Sequence, residues 1–265
     1  MTVLRSRDNP QVKRWAKLAR ESRLRRSEGR ALIEGPHLVA ALLSQNLKPA
    51  AVMATEAALG RPEIADLVHR SGLAPVILSE SAFKSIADAE APPGLAAEIV
   101  IPSLRREGAR VFLEGVQDAG NVGAIVRSAA AFGAGAVILD RACADPWSPK
   151  ALRAGMGGHF SLQVLQVDAL QAALESFAGR ILCTVASGGQ PLREADLAGR
   201  IGWIFGSEAR GVSAGLQQKA ATRITIPLAA GTESLNVAAA AAICLYEASV
   251  VSRASNAPST PVSRS

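Results

Sequence analysis

Two successive series of apolar strands alternating with helical stretches, split by one short break, constrain this chain more than any other feature. The second series opens at Arg110-Val111-Phe112-Leu113-Glu114. It continues with apolar runs at 136–139, 161–165, 180–185, 202–206 and 223–226, and with helices expected near 122–132, 148–155, 168–177, 213–220 and 235–252. Strands joined through helices pair in parallel, so this segment predicts a mostly parallel sheet with helices on both faces. The first series is shorter, with strands expected at 31–35, 50–54, 75–79 and 97–101 and helices at 10–27, 36–44, 62–71 and 81–88. Asn9-Pro10 starts the first helix, because Asn supplies an N-cap oxygen and Pro at N1 forfeits no needed N–H. Pro102 to Gly108 carries turn and charge signals and marks a linker. The expected organisation is an α/β domain over 1–103, a second α/β domain over 108–252, and a Ser/Pro-rich disordered tail over 253–265.

Charge is distributed unevenly. The chain of 265 residues has a formal net charge of +6, yet residues 1–30 hold ten Lys and Arg against three Asp and Glu. The remaining residues are close to neutral. Such a concentration is the footprint of a phosphate-binding surface, although a charged helix face also serves solubility. Hydrophobic residues at 49% exclude a disordered chain. Three cysteines (Cys143, Cys183, Cys244) are too few and too scattered for a disulfide framework. His37, His69 and His159 form no zinc-binding spacing, so no metal is expected. The longest apolar run, Val237–Tyr246, is too short to span a bilayer, and the amino terminus lacks a signal-like apolar region. The expectation is a cytoplasmic protein that is not membrane-bound.

Common nucleotide-binding signatures are missing: there is no phosphate-binding G-x-x-x-x-G-K-[ST] loop, and Gly133-Ala134-Gly135 leads into a strand where a dinucleotide fingerprint needs a helix. Three other segments stand out. QDAGNVGAIVRSAAAFGA (117–134) runs from a strand end into a helix carrying Arg127. WIFGSEARGV (203–212) is an apolar strand followed by a Gly-bounded loop with Glu208. ITIPLAAGTESLNVAAAAAICLYE (224–247) is a strand, a loop and an alanine-rich helix opened by Ser234-Leu235-Asn236. All three set small or polar residues at strand ends, where open α/β sheets bind ligands.

In order and spacing these segments resemble motifs one to three of the SpoU/TrmH-type RNA ribose 2′-O-methyltransferases, a branch of the SPOUT group. The resemblance covers about residues 108–250 and rests on Asn121, Gly123 and Arg127, then Gly206, Glu208 and Gly211, then Ile226, Pro227, Ser234, Leu235 and Asn236. The first domain, through SRDNPQVKRWAKL (6–18) and ALIEGPHLV (31–39), resembles the substrate-binding domain of many members, which is similar to small ribosomal proteins.

The resemblance implies a trefoil-knotted catalytic domain, a homodimer, and S-adenosylmethionine held by Gly206, Ser207, Ile226, Pro227 and Leu235. It implies a catalytic set of Arg127, Asn121, Glu208, Ser234 and Asn236, while the basic first thirty residues point to RNA contacts from Arg14, Arg23, Arg25, Arg26 and Arg30. Ribosomal RNA is favoured over transfer RNA as substrate because of the added first domain. A non-catalytic RNA-binding assembly factor on the same fold is the alternative, and the intact motif residues argue against it.

Methyl transfer from a sulfonium needs no metal, since the donor carries its own leaving group. A guanidinium is a poor base, so Arg127 is expected to clamp phosphate and orient the ribose hydroxyl, with an RNA phosphate oxygen taking the proton. Taken singly, each residue has a plainer explanation. Asn121 and Ser234 suit N-caps, the glycines suit turns, and Arg127 suits a solvated helix face. A stripe of Val237, Ala241, Leu245 and Ala248 marks the last helix as the expected dimer contact.

Overall fold

Trp15 sits at zero exposure in the first core, with Val12, Leu18, Met53, Leu78 and Phe83 around it. The computed structural model in which it lies describes residues 3–255. These form two compact units, one of residues 3–105 with 117–127 and 144–164, the other of 106–116 with 128–143 and 165–255.

In the first unit, β1 (Val3–Leu4), β2 (Arg30–Glu34), β3 (Ala51–Thr55), β4 (Val76–Leu78) and β5 (Leu95–Val100) make a sheet of order β1-β4-β3-β5-β2. β4 runs parallel to β1 and β3, whereas β5 is antiparallel to β2 and β3. Helix Pro10–Arg20 starts as its sequence dictates: the Asn9 side chain accepts from the Gln11 and Val12 amides at 2.9 and 3.5 Å. Its apolar stripe of Val12, Trp15, Leu18 and Ala19 is buried, each large side chain stabilising the fold by roughly 1.5–3 kcal/mol. The helix expected to run through residue 27 breaks at Glu21, which is extended, and a second helix spans Ser22–Glu28. The break has a cause. Arg25 turns its guanidinium back onto the carbonyls of Leu18 and Ala19, at 2.5 and 2.9 Å, filling acceptors that a helix end leaves open.

The second sheet contains β6 (Arg110–Glu114), β7 (Ala136–Leu139), β8 (Gln163–Gln166), β9 (Arg180–Thr184), β10 (Gln190–Pro191), β11 (Ile201–Gly206) and β12 (Thr222–Thr225). Its order is β10-β12-β9-β11-β6-β7-β8. β6 pairs in parallel with β11 and β7, and β9 with β11 and β12. Phe112, Ile138, Phe177, Cys183 and Ile204 build its core. This parallel order is consistent with the knotted path that the resemblance implies. The two-residue strand β10 and the one-turn helix Glu56–Leu59 were not expected, being too short to leave a periodic signal.

The last helix, Val237–Ser255, is longer than expected, and the tail from residue 256 lies outside the described residues. Val237, Ala241, Leu245 and Ala248 are 0–9% exposed, so the stripe expected at a dimer contact is core. Among the described residues, the exposed large apolar side chains of that helix are Ile243, Tyr246 and Val250.

Candidate active site

The carboxyl ends of three neighbouring parallel strands, β9, β11 and β12, open into a cavity of about 410 Å³. Thr184, Val185 and Ala186 line it from β9, Phe205 to Val212 from β11, and Ile226 and Leu228 from β12. Glu233, Ser234, Leu235, Val237 and Ala240 complete it where the last helix begins. A volume of this order suits a small-molecule ligand.

The loop after β11 explains its two glycines. Ser207 and Gly211 form an isolated antiparallel bridge, with the Gly211 amide 2.8 Å from the Ser207 carbonyl. The Arg210 amide donates to Ser207 Oγ at 3.2 Å. A Cβ on Gly206 would stand 2.1 Å from the Gly211 carbonyl, and Gly211 itself has a φ of +64°. Residue 206 therefore has no room for a side chain, and residue 211 takes a backbone shape that favours glycine. The turn presents Ser207, Glu208 and Arg210 at the cavity.

Glu208, Ser234, Gly206, Ser207, Ile226 and Leu235 are thus brought together. Pro227, expected to hold the cofactor, is exposed and outside the lining, because its neighbours Ile226 and Leu228 are the residues that face inward. Asn236 is outside it as well. Its Oδ1 accepts from the Ala238 and Ala239 amides at 2.9 and 3.3 Å, so the N-cap of the last helix is Asn236, not Ser234.

Asn121 and Arg127 lie on helix Ala119–Ala131 and do not line the cavity. The cap of that helix is Asp118, whose Oδ1 accepts from the Asn121 amide at 3.0 Å. Lys150 pairs with Asp118 at 2.6 Å and, with the Asn121 amide, holds its carboxyl below the usual range. At Gly123 this helix comes close against helix Pro149–Gly155: a Cβ there would stand 2.2 Å from the Ala151 carbonyl oxygen. Arg127 is exposed and enters no ion pair among the described residues. Sequence reasoning missed Asp118, although an Asp just before a helical run is a usable capping signal. It also missed Thr184, Val185, Arg210 and Glu233 in the cavity wall.

Burial pushes the thiols of Cys143, Cys183 and Cys244 up to about 12. Each is therefore a neutral thiol near neutrality, unsuited to nucleophilic attack.

The expected RNA-contacting arginines divide. Arg23 and Arg26 are exposed. Arg14 and Arg30 both bond the buried carboxylate of Glu98, at 2.9 and 2.7 Å, and Trp15 Nε1 donates to the same group at 2.8 Å. Arg25 is 3% exposed and pairs with Asp145 at 2.8 Å, so it is an internal residue with no surface to offer RNA.

Known proteins give this geometry a context. The SpoU rRNA methylase family matches residues 108–246, and an MRM3-like substrate binding domain matches residues 9–97. The 23S rRNA (guanosine(2553)-2′-O)-methyltransferase RlmP of Bacillus subtilis is 34% identical over 255 residues, covering 93% of this chain and 98% of its own. A crystal structure of an RNA 2′-O ribose methyltransferase superposes with a TM-score of 0.78 at 28% identity, covering 94% of this chain and 99% of that one. An AdoMet-bound rRNA methyltransferase from Sinorhizobium meliloti shares the fold with a TM-score of 0.79 at 24% identity, over 93% and 97% of the two chains. With its parallel-sheet cavity, its glycine-closed loop and these matches, the chain belongs to the SpoU rRNA methylase family.

Proposed function

We propose that this protein is an S-adenosylmethionine-dependent RNA ribose 2′-O-methyltransferase whose substrate is ribosomal RNA. The carrying observation is the cavity at the carboxyl ends of β9, β11 and β12, lined by motif-two and motif-three residues. The RlmP likeness, extending over both family-matched segments, favours 23S rRNA over transfer RNA.

The donor set fits the methyl donor. Apolar Val185, Phe205, Ile226 and Leu235 suit an adenosine moiety, while Glu208, Glu233 and Ser234 suit its charged amino-acid end. When bound, S-adenosylmethionine supplies an activated methyl group on a good leaving group. The chain's own residues then have positioning work. The turn from Gly206 to Gly211 holds Ser207 and Glu208 rigidly at the cavity, and rigid placement is what an in-line displacement demands. Asn236 fixes the start of the last helix and so places Ser234 and Leu235. Arg127 is proposed to grip an RNA phosphate, and Asn121 to steady the helix that carries it. A guanidinium is a poor base, which leaves the hydroxyl proton to an RNA phosphate oxygen. The protein is proposed to act in the cytoplasm as a homodimer.

The test is methyl transfer from labelled S-adenosylmethionine to 23S rRNA taken from cells lacking the gene. Label at a ribose 2′-oxygen is expected, with Arg127→Ala abolishing transfer while cofactor affinity stays nearly constant. No transfer by the intact protein, despite cofactor binding, would favour the non-catalytic assembly-factor reading. Transfer to transfer RNA alone would replace the substrate assignment.

A further inference from the structure

A basic concavity of the first unit lies along helix Pro10–Arg20, and its cations are mostly not the arginines singled out by sequence. A groove of about 580 Å³ is walled by Arg7, Lys13, Arg14, Lys17 and Arg20, with the carboxylates of Glu21 and Glu28 also on its wall, so cations outnumber anions there. Pro10, Ala16 and Leu24 contribute apolar floor, and Ser85 closes one end. Lys13, Lys17 and Arg20 follow i, i+4, i+7 spacing, so they form a single row about 10 Å long on one helix face.

The ion pairs sort these cations. Arg14 is consumed by Glu98 and Glu28, and Lys13 is shared with exposed Asp8. Arg7, Lys17 and Arg20 enter no ion pair among the described residues. Arg20 is held in place by donating to the Ser85 carbonyl at 2.9 Å, which fixes its guanidinium at the end of the row without neutralising it. A face that serves only solubility has no reason to set unpaired cations around an apolar trough.

We propose that this groove binds the phosphodiester backbone of a single-stranded RNA segment, with Arg7, Lys17 and Arg20 as the phosphate contacts and the Pro10–Ala16–Leu24 floor against the riboses or bases. The inference rests on the reading that the chain acts on RNA, and it names the surface and residues that hold the strand. Lys17 and Arg20 lie in line on one helix face and Arg7 is a separate cation on the same groove; cations spread along a groove suit successive phosphates better than a single free anion. Contacts of this kind give affinity and register but no sequence preference.

The experiment uses the full-length protein and a fluorescent 20-residue uridine oligonucleotide, titrated across salt concentrations. Replacing Arg7, Lys17 and Arg20 by Ala should weaken binding by at least about tenfold at low salt and reduce the salt slope by about 2, three contacts at roughly 0.7 each. A control triple variant, Lys48→Ala, Arg70→Ala and Lys219→Ala, removes the same charge elsewhere and should bind like the parent. Calorimetry with S-adenosylmethionine should give equal affinity for parent and groove variant. Unchanged oligonucleotide affinity and slope in the groove variant, or equal losses in the control, would overturn the groove assignment. Failure of the parent to transfer methyl groups while the groove variant still loses oligonucleotide binding would overturn the catalytic reading and leave the groove standing.

Discussion

Arg25 and Asp145 meet in a buried ion pair across 120 residues of sequence, with the guanidinium Nε and Nη2 both 2.8 Å from Asp145 Oδ2. Asp145 falls within the SpoU match and Arg25 within the substrate-binding match, yet both belong to the first compact unit. The remaining guanidinium nitrogen caps the end of helix Pro10–Arg20. The pair thus ties the turn between the first two helices to the segment leading into helix Pro149–Gly155. Removing one partner strands the other charge in a buried place, which typically costs about 3–5 kcal/mol. Arg25→Ala and Asp145→Ala should each lower the unfolding free energy from urea titration by that order, and the double variant should lose clearly less than the sum of the two. A loss below about 0.5 kcal/mol in Arg25→Ala would mean the pair contributes no more than an exposed one.

Gly206 offers a test with a different signature. Its missing side chain is enforced by the Gly211 carbonyl at 2.1 Å from an ideal Cβ, so Gly206→Ala must displace the loop that lines the cavity. Gly206 is the last residue of β11, whose other residues are tied to β6 and β9 on both sides, which confines the damage to the strand end and the loop. Calorimetry should show S-adenosylmethionine affinity falling at least about tenfold, or 1.4 kcal/mol. The far-ultraviolet spectrum should stay unchanged. Wild-type affinity in this variant would remove the loop from the cofactor site.

Much of this architecture could be read from local signals, and the exceptions share a cause. Helix Pro36–Ser44 is marked by Pro at N1, and β6 and β7 by apolar runs between turn residues, so their ends match expectation. The motif glycines were legible only as candidates for turns. What they avoid, the Ala151 carbonyl at Gly123 and the Gly211 carbonyl at Gly206, emerges only in three dimensions. Arg25 could not be told from Arg23 or Arg26, because its partner lies far along the chain. The break at Glu21 was hidden by Leu24, which continues the apolar period across it. Pro227 and Leu228 show the same limit within the site, where one residue of register decides which side chain faces the cavity.

His159 gives the fold a pH dependence of definite sign. It is fully buried against Trp147, with Nε2 2.8 Å from the Pro146 carbonyl, and burial pushes its pKa down from 6.5 to about 4. The unfolded chain therefore binds the extra proton between about pH 6.5 and pH 4, and stability falls as pH drops through that window. From pH 7 to pH 5 the loss attributable to this residue is about 2 kcal/mol. Urea titrations should show this drop in the parent, and His159→Gln, less stable at pH 7, should show a much smaller one. An equal pH 7-to-5 loss in both proteins would assign the dependence to other groups.

The last helix carries the proposed dimer contact, on a different face from the stripe its alanine pattern suggested. Val237, Ala241, Leu245 and Ala248 are spent on the core, which leaves Ile243, Tyr246 and Val250 as exposed apolar side chains at i, i+3 and i+7. That spacing puts them on one face across two helical turns. Phe132, in edge contact with Tyr246 at 5.7 Å between ring centroids, extends the apolar surface beyond the helix. Burying such a row against a second copy removes its remaining exposed apolar surface from water, at about 25 cal/mol per Å². Sedimentation should therefore give a dimer at micromolar concentration. Ile243→Asp with Val250→Asp should give a folded monomer, because neither side chain belongs to the core. A parent protein that sediments as a monomer, or a variant that remains dimeric, would move the contact away from this helix.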